Sequence, residues 1–244
     1  MNLKIISLIS FTYINILRIR DCQYCGNNIF DPKFKKSSGL IHYFPFYYNT
    51  HDVISEFDLY DGFNANLTFG RPNRSSSYLS LRSGYYKFPP IQSMNSDFSV
   101  LLWVKVNSNQ NWQRVLDFGN GQYSDNVVCA LSYGTTLTPA FQIYIRSGLS
   151  FTVLSSIQLK LNTWYYLAYV LLYPTAYIYI DSEVKGTLNI TNRQQNITRR
   201  INFIGKSNWY GDPNADADFD ELKIFNRGLT REEILFEMNN EVFL

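Results

Sequence analysis

Between Phe98 and Val106, the residues Phe98, Val100, Leu102, Val104 and Val106 alternate with Ser99, Leu101, Trp103 and Lys105. Successive side chains of a strand point to opposite faces, so this period of two predicts a half-buried β-strand with one wholly apolar face. Such a strand needs neighbours in a sheet and a second layer against its apolar side. The rest of the chain supplies candidates. Residues 39–46 form the first, with Pro45 near the end, where a missing backbone donor is tolerated at an edge. Residues 78–81 and 85–88 read as a brief hairpin before Pro89 and Pro90. Residues 113–118 run into the turn Gly119-Asn120-Gly121, and 126–133, 141–146 and 151–154 follow. Residues 164–172 and 176–181 are close enough in sequence to pair as an antiparallel hairpin. Residues 184–190, 199–204 and 218–225 complete the set. Residues 49–77 are polar and irregular, with room for a short strand or turn at 52–59.

About a dozen short strands separated by turns describe a large all-β sandwich or barrel. The last strand carries Phe219, Leu222, Ile224 and Phe225, whose spacing does not let all four face one way. Asn226-Arg227-Gly228 then turns the chain, and Thr230-x-x-Glu233 has the form of a capping box that opens a short C-terminal helix. No period of 20 to 50 residues recurs, which argues against a repeat architecture.

Aromatic residues make up 17% of the 244-residue chain, and charged residues also only 17%. That balance favours pleated, half-buried surfaces. The formal net charge is +2, and the densest basic cluster, Lys33, Lys35 and Lys36, reads as a solvated linker. Nucleic acid binding, which needs a basic face, is not expected. Cys22 and Cys25 form a C-x-x-C without the second pair or nearby histidines of a zinc site. They are a candidate short-range disulfide if the chain is secreted. Cys129, in an apolar strand, is expected to fill the core.

Residues 1–20 read as an apolar leader whose length suits a signal peptide and is too short for a membrane span. No small-x-small cleavage signal precedes Arg18-Ile19-Arg20, so an uncleaved leader is the alternative. Residues 21–37 read as a linker and 38–240 as the folded domain. Sequons at Asn66, Asn73, Asn189 and Asn196 are as many as the composition alone gives, and so argue neither way on secretion.

One cluster looks like a site: Asp212, Asp216, Asp218, Asp220 and Glu221. In an extended strand Asp216, Asp218 and Asp220 project to one side, about 7 Å apart per pair. Carboxylates so close repel one another, so a cation or hydrogen-bond donors must sit among them. Calcium, which takes six to eight oxygens, is one candidate; a solvated loop in which Asp220 accepts backbone hydrogen bonds is the other. Trp209 and Tyr210, in the loop before this string, together with Asn208, are candidates for ligand contact. Tyr144, Tyr165, Tyr169, Tyr177 and Tyr179 could stack on sugar rings if an exposed face presents them, but filling is the favoured role. Trp103 and Trp164, inside regular strands, are assigned to packing. His42 is expected on a wet strand face. Gly-x-Ser-x-Gly, His-Glu-x-x-His and Gly-x-x-x-x-Gly-Lys are all missing from the sequence.

Four blocks, in order, resemble the LamG-like family of laminin G and pentraxin-related domains: Gly39-Leu-x-x-Tyr-x-Pro-Phe46, Asp97-Phe-Ser-Val-x-x-Trp-Val104, Trp164-Tyr-x-Leu-Ala-Tyr-Val170 with Ala176-Tyr-Ile-Tyr-Ile180, and Phe219-Asp-Glu-Leu-Lys-Ile-Phe-Asn-Arg-Gly-Leu229. The resemblance implies a two-sheet antiparallel jelly-roll sandwich, concanavalin A-like and extracellular. It also implies a non-catalytic module that binds a glycan or protein through rim loops or a sheet face, in many members with calcium. Here the rim loops are residues 120–126 and 206–218. Tyr47-Tyr48-Asn49 departs from the Asp-Gly-Asn with which relatives often continue the first strand, which weakens the calcium implication. Asp216-x-Asp218-x-x-Glu221 also resembles the catalytic strand of family 16 glycoside hydrolases. That makes a hydrolase using Asp216 and Glu221 the alternative. Retaining enzymes of this kind need carboxyl groups about 5–5.5 Å apart.

Overall fold

The computed structural model describes residues 36–55, 57–72, 77–146 and 149–240. The leader and the candidate disulfide Cys22–Cys25 lie outside these residues, as does Asn73. Thirteen strands and one helix lie within them. The strands are β1 (Leu40–Phe44), β2 (Tyr60–Phe69), β3 (Ser77–Phe88), β4 (Phe98–Val106), β5 (Arg114–Gly119), β6 (Val127–Ala130), β7 (Ala140–Arg146), β8 (Leu149–Leu154), β9 (Trp164–Leu172), β10 (Thr175–Ile180), β11 (Glu183–Asn189), β12 (Ile201–Ile204) and β13 (Ala215–Phe225); the helix is α1 (Arg231–Asn239). None of the described helical residues forms a segment long and apolar enough to cross a membrane.

All the pairings between strands are antiparallel, in the order β11-β10-β9-β4-β13-β3-β12-β5-β6-β7-β8, with β1 also on β13 and β2 on β3. The path passes between two layers along β3. Its first half pairs with β13, up to Gly84 opposite Ala215, and its second half pairs with β12 from Tyr86 onward. Ser83 makes the bend at φ 51°. Residues 78–88 are therefore one bent strand, where the sequence suggested a hairpin. Inward side chains of both layers share one apolar cluster. Phe98, Val100, Leu102, Val104 and Val106 all lie in it, as the alternation of β4 predicts, with Phe118, Cys129, Phe141, Leu167 and Phe219. Burying side chains of this size is worth about 1.5–3 kcal/mol each.

Residues 49–77 hold a full edge strand, β2, where the sequence was read as polar and irregular. Its side chains are mostly exposed, its register against β3 slips twice, and Asp61 and Asn64 adopt positive φ. Phe63, Ala65, Leu67 and Phe69 alternate with Asn64, Asn66 and Thr68, and Ala65 and Leu67 pack against the core, a period overlooked among the polar neighbours.

The conflict in the last strand is settled by a β-bulge. Between Asp220 and Lys223 the register of β13 against β4 shifts, and Glu221 sits at φ 54°. The extra residue puts two positions between inward-facing ones. Phe219, Leu222 and Ile224 thus all reach the core. The outer side of this stretch is closed by α1, whose capping box is formed by Thr230 and Glu233. Lys223 Nζ meets Glu237 at 2.8 Å and the Tyr43 hydroxyl donates to Glu221 at 2.6 Å, all of them buried. Leu40–Phe44 pairs antiparallel with the end of β13, so the chain closes its first strand on its last.

A one-residue slip in a strand exchanges its two faces. Deleting Glu221 therefore removes the bulge and drives Leu222 or Phe219 out of the core. Circular dichroism of the deletion variant is expected to show loss of the cooperative thermal transition; a retained transition near the parent midpoint would contradict the role given to the bulge.

Candidate functional site

In β5, Val115, Leu116 and Phe118 point into the core, which leaves Arg114 and Asp117 for the outer face. Register sets a row across this face: Phe203, Asp117, Val128 and Gln142 lie side by side. Asp117 nevertheless has no exposed surface. The loop that follows β12 folds back over it. The Asn208 backbone N–H donates to Asp117 Oδ2 at 2.9 Å, and Asn208 Nδ2 donates to Oδ1 at 2.9 Å. From the opposite loop, Asn126 Nδ2 donates to Oδ1 at 2.8 Å. One carboxylate therefore ties down the 206–212 loop and the 120–126 loop together. Burial raises the Asp117 carboxyl above its ordinary value, against the pull of Arg114 and the donors from Asn208 and Asn126.

The lock sets the position of Trp209. Its ring packs on Val128, Ala130 and Ala140, small outward residues of β6 and β7. It stands 5.4 Å from Tyr123 and 5.5 Å from Tyr144, centroid to centroid. Arg114 is stacked between two tryptophans, 4.9 Å from the Trp112 ring and 5.7 Å from Trp209. Beyond Trp112, Tyr133 lies 4.8 Å away. Arg114 is held by Asp212 at 3.1 Å and by the Trp112 carbonyl at 2.8 Å. Burial lowers its affinity for its proton, a pull that Asp117 and Asp212 oppose. The neighbouring Tyr210 is 99% exposed.

Trp112 and Tyr123 both have positive φ, 51° and 56°. Bulky side chains rarely adopt that region, and such strain collects at functional sites. The 120–126 loop is held from behind by Arg199, whose Nε donates to the Asp125 carbonyl at 2.8 Å. Burial pulls the Arg199 guanidinium down to about 10, with Asp125 opposing.

Of the residues expected to contact ligand, Asn208 and Trp209 come together on this face, with Tyr210 beside them and open to solvent. Tyr144 joins them, whereas Tyr169 lies in the core, its hydroxyl donating to the Ala130 carbonyl at 2.8 Å. Asp117, Arg114, Trp112 and Tyr123 were not singled out in the sequence. The legible signal was a pair of opposite charges inside the apolar run of β5.

Of the acidic string, Asp212 lies at this face with Arg114, whereas Asp216, Asp218 and Asp220 fall on the outer face of the other layer. Asp216, Asp218 and Asp220 do project to one side, but cationic side chains stand among them. Asp218 meets Arg82 at 2.7 Å and Lys105 at 2.8 Å, and Asp220 meets Arg71 at 2.7 Å. Trp103 and Trp164 pack here and not in the core: Arg71 lies 4.9 Å from the Trp103 ring, and Lys105 lies 5.3 Å from Trp164. Among the described residues no group of three or more His, Cys, Asp or Glu is arranged to hold a metal ion. Arginine and lysine thus stand where the repulsion among these carboxylates called for a cation or for hydrogen-bond donors. Asp216 and Glu221 are not at the spacing of a retaining glycosidase pair. They are separated by about 15 Å of strand, and Glu221 is buried against Tyr43. His42 is buried too, contrary to expectation: its Nδ1 meets Asp52 Oδ2 at 2.6 Å. Ser55 approaches the same nitrogen, so the three do not form a relay through both sides of the ring.

The two-layer antiparallel sandwich is of the concanavalin A-like type. The model of the concanavalin A-like lectin/glucanases superfamily matches residues 80–235, and the chain belongs to that superfamily. No curated protein matches it by sequence. Among solved structures it is similar to domain 4 of AbnA, a GH43 extracellular arabinanase from Geobacillus stearothermophilus, in complex with arabinotriose. The TM-score is 0.64 at 17% identity, over 83% of this chain and 99% of that domain. The binding domain of botulinum neurotoxin DC in complex with SialylT gives 0.59 at 12% identity, over 83% of this chain and 51% of that one. A mutant Trypanosoma rangeli sialidase displaying trans-sialidase activity gives 0.59 at 15% identity, over 82% of this chain and 32% of the sialidase. The chain thus spans about half of the toxin domain and a third of the sialidase, and at these identities the likeness is one of fold.

Because burial raises the Asp117 carboxyl, its protonated form is favoured by folding. The resulting stabilisation is complete below the unfolded value, near 3.8, and is lost as pH rises through the folded value. Urea unfolding from pH 3.5 to 7 is expected to show the parent losing stability with pH relative to Asp117→Asn. Parallel pH profiles would contradict this.

Proposed function

We propose that this domain is a non-catalytic, secreted recognition module that binds a glycan on the outer face of β5, β6 and β7, through the strip formed by Trp112, Trp209, Tyr210 and Tyr123. The observation that carries the proposal is the Asp117–Asn208 lock. A carboxylate taken out of water costs stability unless it is fully hydrogen-bonded, and here it is spent on holding a tryptophan-bearing loop against the sheet. Sugar rings offer apolar C–H faces that stack on aromatic rings and hydroxyls that suit nearby amides and carboxylates. Asn208, Asp212 and the exposed Tyr210 supply these beside Trp209. Support also comes from the similar folds, since the AbnA domain is in complex with arabinotriose and the toxin domain in complex with SialylT. Calcium has no part in the proposed site: Asp216, Asp218 and Asp220 lie in the other layer, beside Arg71, Arg82 and Lys105.

Tyr210 allows a clean test, since nothing in the fold rests on it. A glycan array on the purified protein should give binding that Tyr210→Ala weakens about tenfold, a loss of about 1.4 kcal/mol, with an unchanged melting temperature. Chelation with EDTA should alter neither affinity nor melting temperature. Binding that survives both Tyr210→Ala and Trp209→Ala would remove the ligand from this face.

A further inference from the structure

We infer that Asn66 is an N-glycosylation site, and that the oligosaccharide it carries shields the open edge of the sandwich along β2. The inference rests on the secreted character proposed above and is independent of the glycan-binding face. Asn66-Leu67-Thr68 is a sequon, and where it lies in the fold, more than its occurrence, carries the argument.

A strand at the edge of a sheet presents a row of unpaired backbone groups that another chain can join, and proteins blunt such edges with bulges, lysine or proline. Among the described residues β2 pairs with β3 alone. Its first half is protected by two register slips, one between Tyr60 and Phe63 and one between Phe63 and Ala65. From Ala65 to Phe69 the pairing runs without a slip, opposite Leu81 to Ser77 of β3. That stretch, Ala65-Asn66-Leu67-Thr68-Phe69, holds no charged residue and no proline. It ends in Phe69, 56% exposed, whose ring lies 5.4 Å from that of Tyr48, 53% exposed. A regular, uncharged edge bordered by open rings invites unwanted strand pairing. The sequon falls within it.

Period sets the direction of the side chain. Ala65 and Leu67 pack against the core, so Asn66 and Thr68 turn to the outer face of the sheet. Asn66 is exposed and stands opposite Ser80, in a row that continues through Asp218 to Lys105. A glycan there leaves the core untouched and, carried by the edge strand itself, obstructs a second strand approaching β2. The other described sequons lie differently. Asn189 ends β11, whose outer side meets the segment after β8, the Ser156 N–H donating to the Lys185 carbonyl at 2.6 Å. Asn196 lies outside the strands, its side-chain carbonyl accepting from Asn95 Nδ2 at 2.9 Å. In the modification a bond forms between Asn66 Nδ2 and the anomeric carbon of a lipid pyrophosphate-linked oligosaccharide. The bond from that carbon to the pyrophosphate oxygen breaks, the lipid pyrophosphate leaves with the electron pair, and Nδ2 gives up one proton.

The test is expression of the whole chain in a eukaryotic secretory host, followed by intact mass and peptide mapping before and after enzymatic release of N-glycans. The secreted protein is expected to carry an oligosaccharide on Asn66. Thr68→Ala, which destroys the sequon, should lose that oligosaccharide from its mass. The same variant is expected to sediment as associated species at a concentration where the parent is uniform, with a melting temperature close to the parent's. Asn66→Gln, which keeps Thr68, should behave in the same way. Secreted parent protein with a bare Asn66 would overturn the inference and leave the glycan-binding reading standing. Variants that lose the oligosaccharide yet sediment as the parent does would contradict the shielding. A chain retained unglycosylated inside the host would remove both the inference and the secreted character on which it rests.

Discussion

What the outer face of the second layer can present depends on one carboxylate held out of water. Asp117 sits on a strand whose other side chains are largely committed to the core, and it gathers donors from two loops far apart in the chain. A buried charge is tolerated only when its hydrogen-bonding capacity is met. The 206–212 loop therefore cannot lift away without stranding it. That requirement, more than any packing of Trp209 itself, is what fixes the aromatic strip. It also explains why the site is rigid though built largely from loops: its anchor belongs to the sheet.

The opposite layer solves a similar electrostatic problem to a different end. Asp218 and Asp220 are as buried as Asp117, yet their partners are Arg71, Arg82 and Lys105, of which Arg71 and Lys105 are laid over Trp103, Trp164 and Tyr78. Carboxylates, cations and rings there bind one another. On the face of Asp117, Asp212 and Asp117 share one arginine, and Tyr123, Tyr133 and Tyr210 remain exposed. Open aromatic area is what distinguishes this candidate site from the structural network of the other layer.

Much of the fold could be read directly from the chain. The alternation through Val100, Leu102 and Val104 follows from side-chain period, whereas the sandwich architecture was implied by the family resemblance. The capping box at Thr230 follows from the same local rules. The edge strand β2 was passed over although Phe63, Ala65, Leu67 and Phe69 alternate, because the run is short and set among polar residues, and the bend at Ser83 was mistaken for a turn. The bulge at Glu221 was visible only as a contradiction among Phe219, Leu222 and Ile224. For the site, Trp209 and Asn208 were legible because a polar, aromatic loop precedes a strand. Asp117 was not: its role depends on two loops arriving from positions 91 and 9 residues away, and no local pattern reports such a meeting. The partners of Asp216, Asp218 and Asp220 were hidden for the complementary reason, since Arg71, Arg82 and Lys105 reach them from other strands and from the segment after β2.

Native-state hydrogen exchange at the Asn208 amide tests the Asp117 lock most directly. If the lock carries the loop, this N–H is released only when Asp117 is uncovered. It should then exchange with a protection close to that of the core amides of β5 and lose that protection in Asp117→Ala. Exchange of Asn208 in the parent protein at the rate of an open loop would show that the carboxylate does not hold the tryptophan in place, and the account of the strip would fail with it.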